Sequence, residues 1–264
     1  TPRLKSIEIP SDTIIDVPSY SQYIRDKNIG SVICSPTSIT MLLNRRNENL
    51  IVEETAWSCF DYDYEAFGNW LFNVAFASSL GYESFVEYGN LKSLKREIYS
   101  GYPVAVSVKY TNDINNLEYP YIENAPITTA GHILVVRGFE KKDGIDYVVV
   151  NDPAGKSNES VTRRYKLSEF ESAWHRGSNI MYIIHDKEVE INNNRIEASL
   201  ELKNNKENLY SVLVNDTYLD LSSDFVKTIL ITYDNGLTFE SLVPYNNHYL
   251  ALENKNNCKI FNIF

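Results

Sequence analysis

The order of the secondary-structure signals constrains the fold of this chain most, because helical patterns come first and strand patterns follow. Apolar residues recur at helical spacing in four stretches before residue 103. We predict helices over residues 36–45, 51–62, 68–81 and 91–99. From Pro103 onward the apolar residues follow the pattern of strands. Helices followed by an antiparallel sheet indicate an α+β fold.

The predicted sheet consists of short β-rich runs that are separated by polar turns. We predict strands over residues 103–110, 131–140, 145–152, 161–167 and 181–184. A short helix over residues 168–174, with Ser168 as its N-cap, separates the last two strands. The run K-K-D-G at residues 141–144 predicts a tight hairpin turn between the second and third strands.

The composition changes after about residue 186, where polar stretches rich in Asn and Glu alternate with short β runs. These runs lie at residues 196–202, 210–214, 226–233 and 237–243, and Asp234-Asn235-Gly236 predicts a turn between the last two. We therefore predict two domains, a larger one over residues 1–187 and a small β-rich accessory module over residues 188–264. The module offers no catalytic cluster, and we expect it to position or dock the larger domain.

The overall charge argues against a nucleic-acid partner. The formal net charge is -10 at pH 7, and no cluster of Lys and Arg interleaved with aromatic residues offsets it. The sequence contains no run of about 18 apolar residues, so we predict no membrane-spanning helix. The chain begins at Thr1 without a methionine, and we expect that a segment precedes it.

The cysteines give no support for a metal or a disulfide framework. Cys34, Cys59 and Cys258 form no CxxC pair and no zinc-ligand spacing with the four histidines. We therefore predict no metal and no cofactor, and we do not expect a bridge between Cys59 and Cys258.

Cys34 stands at the start of the first predicted helix, in the stretch S-V-I-C-S-P-T-S-I-T-M-L-L-N at residues 31–44. Ser35 suits the N-cap and Pro36 the first helical position. A thiol there lies near the positive end of the helix dipole, which favours the nucleophilic thiolate. A small buried apolar residue is the other interpretation, since buried Cys is common.

A cysteine nucleophile requires a histidine for proton transfer and a polar group that orients the imidazole. Three of the histidines lie in polar surroundings without an evident orienting acid, and we interpret them as surface residues: His175, His185 and His248. His132 differs because it opens a strand of the predicted hairpin.

The partner strand of His132 ends in Asn151-Asp152-Pro153. A turn centred near Lys142 would bring His132 opposite Asn151 or Asp152. Because side chains alternate along a strand, only one of the two can face His132, and the spacing leaves both open.

Five motifs, taken in order, resemble the C39-like cysteine peptidases of bacteria, papain-fold enzymes that are often exported to the cell surface. The motifs are S-Q at 21–22, C-S-P-T-S-I-T-M-L-L at 34–43, G-N-W-L-F-N-V-A-F-A at 68–77, G-H-I-L-V-V-R-G-F at 131–139, and N-D-P-A at 151–154 with R-Y-K-L-S-E-F-E-S-A-W at 164–174. The resemblance covers residues 14–184. It implies a papain-like α+β fold with a helical half and a sheet half.

The resemblance also implies a cysteine peptidase that acts on a peptide or protein substrate through a thioester. It implies Cys34 as the nucleophile, His132 as the general acid and base, and Asp152 as the orienting residue. Gln22 corresponds to the glutamine whose amide completes the oxyanion hole. Asn151 is the competing orienting residue, since papain relatives use Asn at that place.

Within the motif at residues 68–77, we expect Trp70 and Phe72 to pack in the core and Asn69 or Asn73 to line the substrate-binding site. The same catalytic residues would serve an amidase or acyltransferase acting on cell-wall peptides. A non-catalytic surface binding protein on a peptidase scaffold is the alternative outside enzymology. The nineteen tyrosines and abundant asparagine are typical of an extracytoplasmic bacterial protein, so we expect secretion or cell-surface association.

Overall fold

The structure is a computed structural model of the chain. It describes residues 12–189 and the segments 198–204, 209–214, 217–218, 229–232, 240–245, 248–250 and 259–263.

Five α-helices lie in the first part of the chain. They are α1 (Cys34–Asn44), α2 (Val52–Ser58), α3 (Trp70–Ser79), α4 (Leu91–Tyr99) and α5 (Leu167–Arg176). Each lies where a helix is predicted. Helix α1 begins earlier than predicted, because Ile33 rather than Ser35 is its N-cap and makes no side-chain cap. The Ser35 hydroxyl instead bonds to the Tyr182 hydroxyl at 2.9 Å, so a tertiary contact replaces the predicted cap.

The Ser168 prediction is wrong for a similar reason. Lys166 is the N-cap of α5 and provides no capping hydrogen bond. The strand before α5 runs directly into the helix, so no separate capping turn intervenes.

One antiparallel sheet of seven strands packs with these helices. Its strands are β1 (Thr13–Ile14), β2 (Tyr82–Tyr88), β3 (Val104–Tyr110), β4 (Thr129–Lys142), β5 (Ile145–Asn151), β6 (Thr162–Lys166) and β7 (Ile180–Lys187). The order across the sheet is β2-β7-β3-β4-β5-β6, and β1 pairs with β4. The predicted α+β class is confirmed. The prediction that four helices precede the sheet is wrong, because β2 forms between α3 and α4 and pairs with β7.

The β4–β5 hairpin has a different register from the predicted one. Asp143 and Gly144 form the turn with φ of 53° and 79°, and Lys142 pairs with Ile145. An irregularity between Val136 and Gly138 shifts the pairing again. Asn151 is therefore opposite Val135.

The predicted pairing of His132 with residue 151 or 152 is consequently wrong. His132 pairs with Val108 on β3, on the other side of β4. The turn lies between residues 143 and 144 rather than at 142, which accounts for the displacement.

Helix α1 packs its buried face against the sheet. Its residues Ile39, Met41 and Leu43 are almost completely buried and belong to one apolar cluster with the central strands. A smaller cluster joins the loop before α1 to the region around α2. It contains Ile29, Ile33, Val52, Ala56 and Phe67. Burial of one such side chain contributes about 1.5–3 kcal/mol to stability, so both ends of α1 are held firmly.

The C-terminal segments form a second antiparallel sheet. Its strands are β8 (Ala198–Asn204), β9 (Leu209–Val214), β10 (Thr217–Tyr218), β11 (Ile229–Thr232), β12 (Glu240–Tyr245), β13 (His248–Leu250) and β14 (Lys259–Ile263). The order is β10-β9-β13-β12-β11-β14, and β8 pairs with β9. The predicted turn at residues 234–236 lies outside the described residues. The domain boundary at residue 188 stays a prediction.

No helix within the described ranges has the length and apolar composition needed to cross a membrane.

Candidate active site

Cys34 is the first residue of α1 and is half-buried. The backbone N–H groups of Ser35 and Ile133 act on the sulfur and lower its pKa. Ser38, one turn further along α1, donates its hydroxyl to the Ile133 carbonyl at 3.2 Å. The N-terminal turn of the helix is thus fixed against strand β4, and the sulfur lies where the helix dipole favours negative charge.

The imidazole of His132 lies between the thiol and a carboxylate. Its Nε2 atom is 2.7 Å from Oδ1 of Asp152. The Cys34 thiol also interacts with this ring and helps to raise its pKa, and Nδ1 is the ring nitrogen that Asp152 leaves without a bond. His132 is 5 % exposed, so solvent competes little for either contact.

The pKa values of the thiol and the imidazole move in opposite directions. Burial alone would raise the pKa of Cys34, but the hydrogen bond and the charge of His132 outweigh burial and lower it. Burial alone would lower the pKa of His132, but the charge and hydrogen bond of Asp152, together with Cys34, raise it to about 10. Both shifts act in favour of a thiolate beside an imidazolium.

Asp152 is completely buried and accepts four hydrogen bonds. Its Oδ1 atom receives the His132 imidazole and the Ala154 N–H at 3.0 Å. Its Oδ2 atom receives the hydroxyls of Tyr110 and Tyr165, both at 2.8 Å. Burial would raise the pKa of Asp152, but His132 and the two hydroxyls lower it below the ordinary value. The carboxylate thus stays ionised.

Asn151 does not face the imidazole. Its amide nitrogen donates to the carbonyls of Val17 and Pro18 at 3.2 and 3.0 Å. Its Oδ1 atom accepts a hydrogen bond from the Thr162 hydroxyl at 2.9 Å. Asn151 therefore ties the segment before Gln22 to β5, and of the two alternatives it is Asp152 that contacts His132.

Gln22 is buried and lies beside the loop that follows β5. Its backbone N–H donates to the Pro153 carbonyl at 2.9 Å, one residue after Asp152. Its side-chain nitrogen donates to the Gly30 carbonyl at 2.9 Å, which fixes the orientation of the amide. An amide nitrogen carries two N–H donors, so one remains after this bond.

The chain is related to a known family of peptidases. The profile of the Peptidase_C39 like family matches residues 14–181. The chain belongs to the C39-like peptidase family. Its α+β fold is the papain-like fold, as the resemblance implied.

The chain is similar to several solved structures. A protein from Bacillus anthracis that is named as a C39-like peptidase is 17% identical, covers 68% of this chain and 100% of its own, and has a TM-score of 0.50. A double glycine motif protease from an AMS/PCAT transporter, solved with its leader peptide, is 18% identical, with coverages of 65% and 93% and a TM-score of 0.44. The bromelain protease from Ananas comosus, bound to E64, is 14% identical, with coverages of 67% and 99% and a TM-score of 0.46. No curated protein matches the chain.

The predicted substrate-binding residues of this family member lie at the start of α3. Asn69 is the N-cap of α3 and accepts hydrogen bonds from the N–H groups of Leu71 and Phe72 at 3.1 and 3.4 Å. Asn69 is partly exposed, and its contact with a substrate stays a prediction. Asn73 is completely buried and donates to the carbonyls of Phe67 and Asn69. A side chain in that position cannot reach a substrate, so the expectation for Asn73 is not met.

The expectation that Trp70 and Phe72 pack in the core is also wrong. Trp70, Leu71 and Phe72 are 36%, 66% and 44% exposed. The buried side of α3 begins instead with Asn73 and Val74. A run of three apolar residues satisfies the helical pattern, but it does not show which of them faces the core.

His175 and His185 have surroundings that differ from those of His132. His175 is exposed, as predicted. His185 is wrongly predicted as a surface residue without acids, since Glu83 and Glu97 each lie 2.9 Å from one of its ring nitrogens. The side chain of His248 lies outside the described residues. Those described residues contain no group of three His, Cys, Asp or Glu arranged to hold a metal.

Two contributors to the site were missed by sequence reasoning, Tyr110 and Tyr165. Tyr110 lies in a largely apolar β-rich run and Tyr165 in a strand flanked by basic residues, and tyrosine is an ordinary residue in either. Both are completely buried, and a buried tyrosine hydroxyl requires a partner. That requirement was the available signal, but the sequence does not say which acceptor meets it.

Proposed function

We propose that this chain is a cysteine peptidase that hydrolyses a peptide bond through a thioester on Cys34. The observation that supports it most is the 2.7 Å hydrogen bond between His132 and Asp152, together with the interaction of His132 with Cys34 that lowers the thiol pKa and raises the imidazole pKa. Family membership supports the same reaction class.

In the first half of the reaction, the Cys34 thiolate attacks the carbonyl carbon of the scissile peptide bond. A C–S bond forms, and the carbonyl electrons move onto oxygen. His132 then gives its proton to the amide nitrogen as the C–N bond breaks, which releases the amine and leaves a thioester.

In the second half, neutral His132 accepts a proton from water while the water oxygen attacks the thioester carbon. The C–S bond breaks, the acid is released, and the thiolate and imidazolium are restored. Asp152 keeps the imidazole oriented and stabilises its charged form in both halves.

The oxyanion requires hydrogen-bond donors that are fixed before the reaction begins. The backbone N–H of Cys34 and the second N–H of the Gln22 amide are the donors that we assign to it. We expect Gln22→Ala to lower kcat by about 10²- to 10³-fold, as for loss of one donor in other oxyanion holes.

The proposal is tested by cleavage of a peptide library with the parent protein, Cys34→Ala and Cys59→Ala. Cys59 is buried, and burial raises its thiol pKa, so it is a matched control for removal of a cysteine. We expect no turnover by Cys34→Ala and parental turnover by Cys59→Ala. Cleavage that survives in Cys34→Ala would rule out the thioester mechanism.

A second measurement separates a peptidase from the alternatives. Iodoacetamide should label Cys34 faster than Cys59 at a pH well below the ordinary pKa of a cysteine thiol. A non-catalytic scaffold predicts an unreactive Cys34. Addition of an amine nucleophile distinguishes hydrolysis from acyl transfer, because transfer would convert the added amine into an amide. Secretion or cell-surface association stays a proposal, and fractionation of the source cells would test it.

A further inference from the structure

Two tyrosines that come from different strands meet at one oxygen of Asp152. Tyr110 ends β3 and Tyr165 lies on β6. In the sheet order these strands flank the β4–β5 hairpin on its two sides. Both hydroxyls nevertheless donate to Oδ2 of Asp152, each at 2.8 Å.

Both side chains are held rigidly in the interior. Tyr110 and Tyr165 are each 0% exposed, and their ring centroids are 6.5 Å apart. The Tyr110 ring also meets the His132 ring edge to face, with centroids 5.9 Å apart and an interplanar angle of 86°. Their position excludes direct contact with a substrate.

The two carboxylate oxygens therefore have separate partners. Oδ1 receives the imidazole and the Ala154 N–H, while Oδ2 receives only the tyrosine hydroxyls among the described contacts. Two donors on Oδ2 oppose rotation of the carboxylate about its bond to Cβ. Rotation would turn Oδ1 away from His132.

We infer that Tyr110 and Tyr165 are positioning residues that hold the Asp152 carboxylate ionised and oriented toward His132. This inference rests on the proposed function, because it concerns the same series of groups.

Neutral donors suit this role better than cations do. A Lys or Arg at Oδ2 would compete with the imidazolium for the charge of Asp152. Burial and the charge of Asp152 raise the pKa of both tyrosines well above the ordinary value, so they remain neutral donors over the working pH range. Without them, Asp152 would be a buried carboxylate with one oxygen unpaired, which favours its protonated form.

The test compares the parent with Tyr110→Phe, Tyr165→Phe and the double variant. The titration of Asp152 is followed by ¹³C NMR of aspartate carboxyl carbons, and its resonance is identified by its absence from Asp152→Asn. We expect the Asp152 pKa to rise by about one unit in the double variant and by less in each single variant, since one donor remains. We expect kcat to fall about tenfold in the double variant with KM unchanged, because neither ring touches substrate.

Tyr82→Phe is the matched control. Its hydroxyl also donates to a carboxylate, Glu48, at 2.5 Å, and its side chain is 5% exposed. We expect the Tyr82→Phe variant to lose a similar amount of stability and to leave the Asp152 pKa unchanged. A folded double variant in which the Asp152 pKa and kcat are both parental would overturn the inference. If the double variant does not fold, an unchanged Asp152 titration in both single variants would overturn it.

The NMR titration does not depend on turnover. A parent that cleaves no peptide would contradict the proposed function but leave the titration as a separate test of the tyrosines. A parent that cleaves peptides while the variants titrate normally would contradict only the role of the tyrosines.

Discussion

The charge on His132 depends on a single neighbouring carboxylate. Asp152 is the acid within hydrogen-bond distance of its ring, and it raises the imidazole pKa that burial would otherwise lower. A reaction that needs the imidazolium loses rate as pH rises through that pKa. Under the proposed mechanism, we therefore expect Asp152 to be a main determinant of the alkaline limit of activity.

We expect Asp152→Asn to move the alkaline limb of the kcat/KM profile to lower pH. The amide carries no charge, so the His132 pKa falls from about 10 toward its ordinary range. Peptide cleavage measured across pH checks this. Asp146→Asn is the control, because that side chain is 59% exposed and lies 3.7 Å from Lys141. An unshifted alkaline limb in Asp152→Asn would show that another group supports the imidazolium.

Gly30 permits a close approach that determines where Gln22 lies. A Cβ atom added at Gly30 would lie 2.8 Å from the Gln22 carbonyl oxygen. That distance requires one of the two backbone segments to shift. The Gln22 amide, which bonds to the Gly30 carbonyl, would shift with it.

We expect Gly30→Ala to lower kcat by roughly ten- to a hundredfold, because small displacements of a catalytic donor are costly. Steady-state cleavage assays measure it, and Gly68→Ala is the control since an added Cβ there meets nothing within 4 Å. Equal kcat in the two variants would mean that Gln22 tolerates displacement or does not take part.

At the scale of elements, His185 joins three of them. It lies on β7, and its two ring nitrogens contact Glu83 on β2 and Glu97 on α4, both at 2.9 Å. Two carboxylate acceptors require both nitrogens to carry protons, which is the imidazolium form. Burial lowers the pKa of His185, but Glu97 and Glu83 together raise it above the ordinary value.

We expect His185→Gln to destabilise the protein by about 1 kcal/mol at acidic to neutral pH and by less at alkaline pH. Because the folded pKa is raised, the contribution is complete below the unfolded pKa and disappears as pH rises through the folded pKa. Urea unfolding of parent and variant at several pH values measures it, with exposed His175 changed to Gln as the control. A difference that grows as pH rises would contradict this assignment.

Element identity was predictable where a pattern is local. The helices and the existence of the β4–β5 hairpin follow from spacing and turn chemistry. The hairpin register was predicted wrongly because the turn lies at Asp143-Gly144 rather than at Lys142, and the irregularity between Val136 and Gly138, which has no local signal, shifts the pairing further. Strand β2 was missed because its partner, β7, lies about a hundred residues away.

The same distinction between local and tertiary signals applies to the residues of the candidate site. Cys34, His132 and Asp152 could be selected as candidates because few residue types perform this chemistry, and Cys34 and Asp152 stand at the start of α1 and directly after β5. Asn73 and the two tyrosines that bond to Asp152 could not be assigned, because the direction of their side chains depends on tertiary packing.

At the scale of the whole molecule, the chain contains two separately paired sheets among its described residues. All strands of the first lie within residues 13–187, and the family match ends at residue 181. No described strand of one sheet pairs with a strand of the other. The peptidase-like part therefore has its own complete set of strand partners.

We expect a chain shortened to residues 1–189 to fold and to retain iodoacetamide reactivity at Cys34. Far-ultraviolet circular dichroism and thermal unfolding measure the first property, and alkylation the second. A chain shortened to residues 1–177 is the control, because it lacks β7, which lies between β2 and β3. Failure of both shortened chains to fold would show that residues 190–264 contribute to the folding of the first part.

The loop that follows β5 supports both sides of the proposed chemistry. Asp152 begins it, Pro153 accepts the Gln22 N–H, and the Gly155 carbonyl and Asn158 side chain accept the hydroxyl and N–H of Ser21. We expect cleavage of one peptide bond in this loop to displace both Asp152, which supports the charge on His132, and Gln22, which we assign to the oxyanion. Under the proposed mechanism, cleaved molecules would then lose activity completely instead of keeping a reduced rate. A mixed population would contain fewer active molecules, each with the kcat of the intact protein.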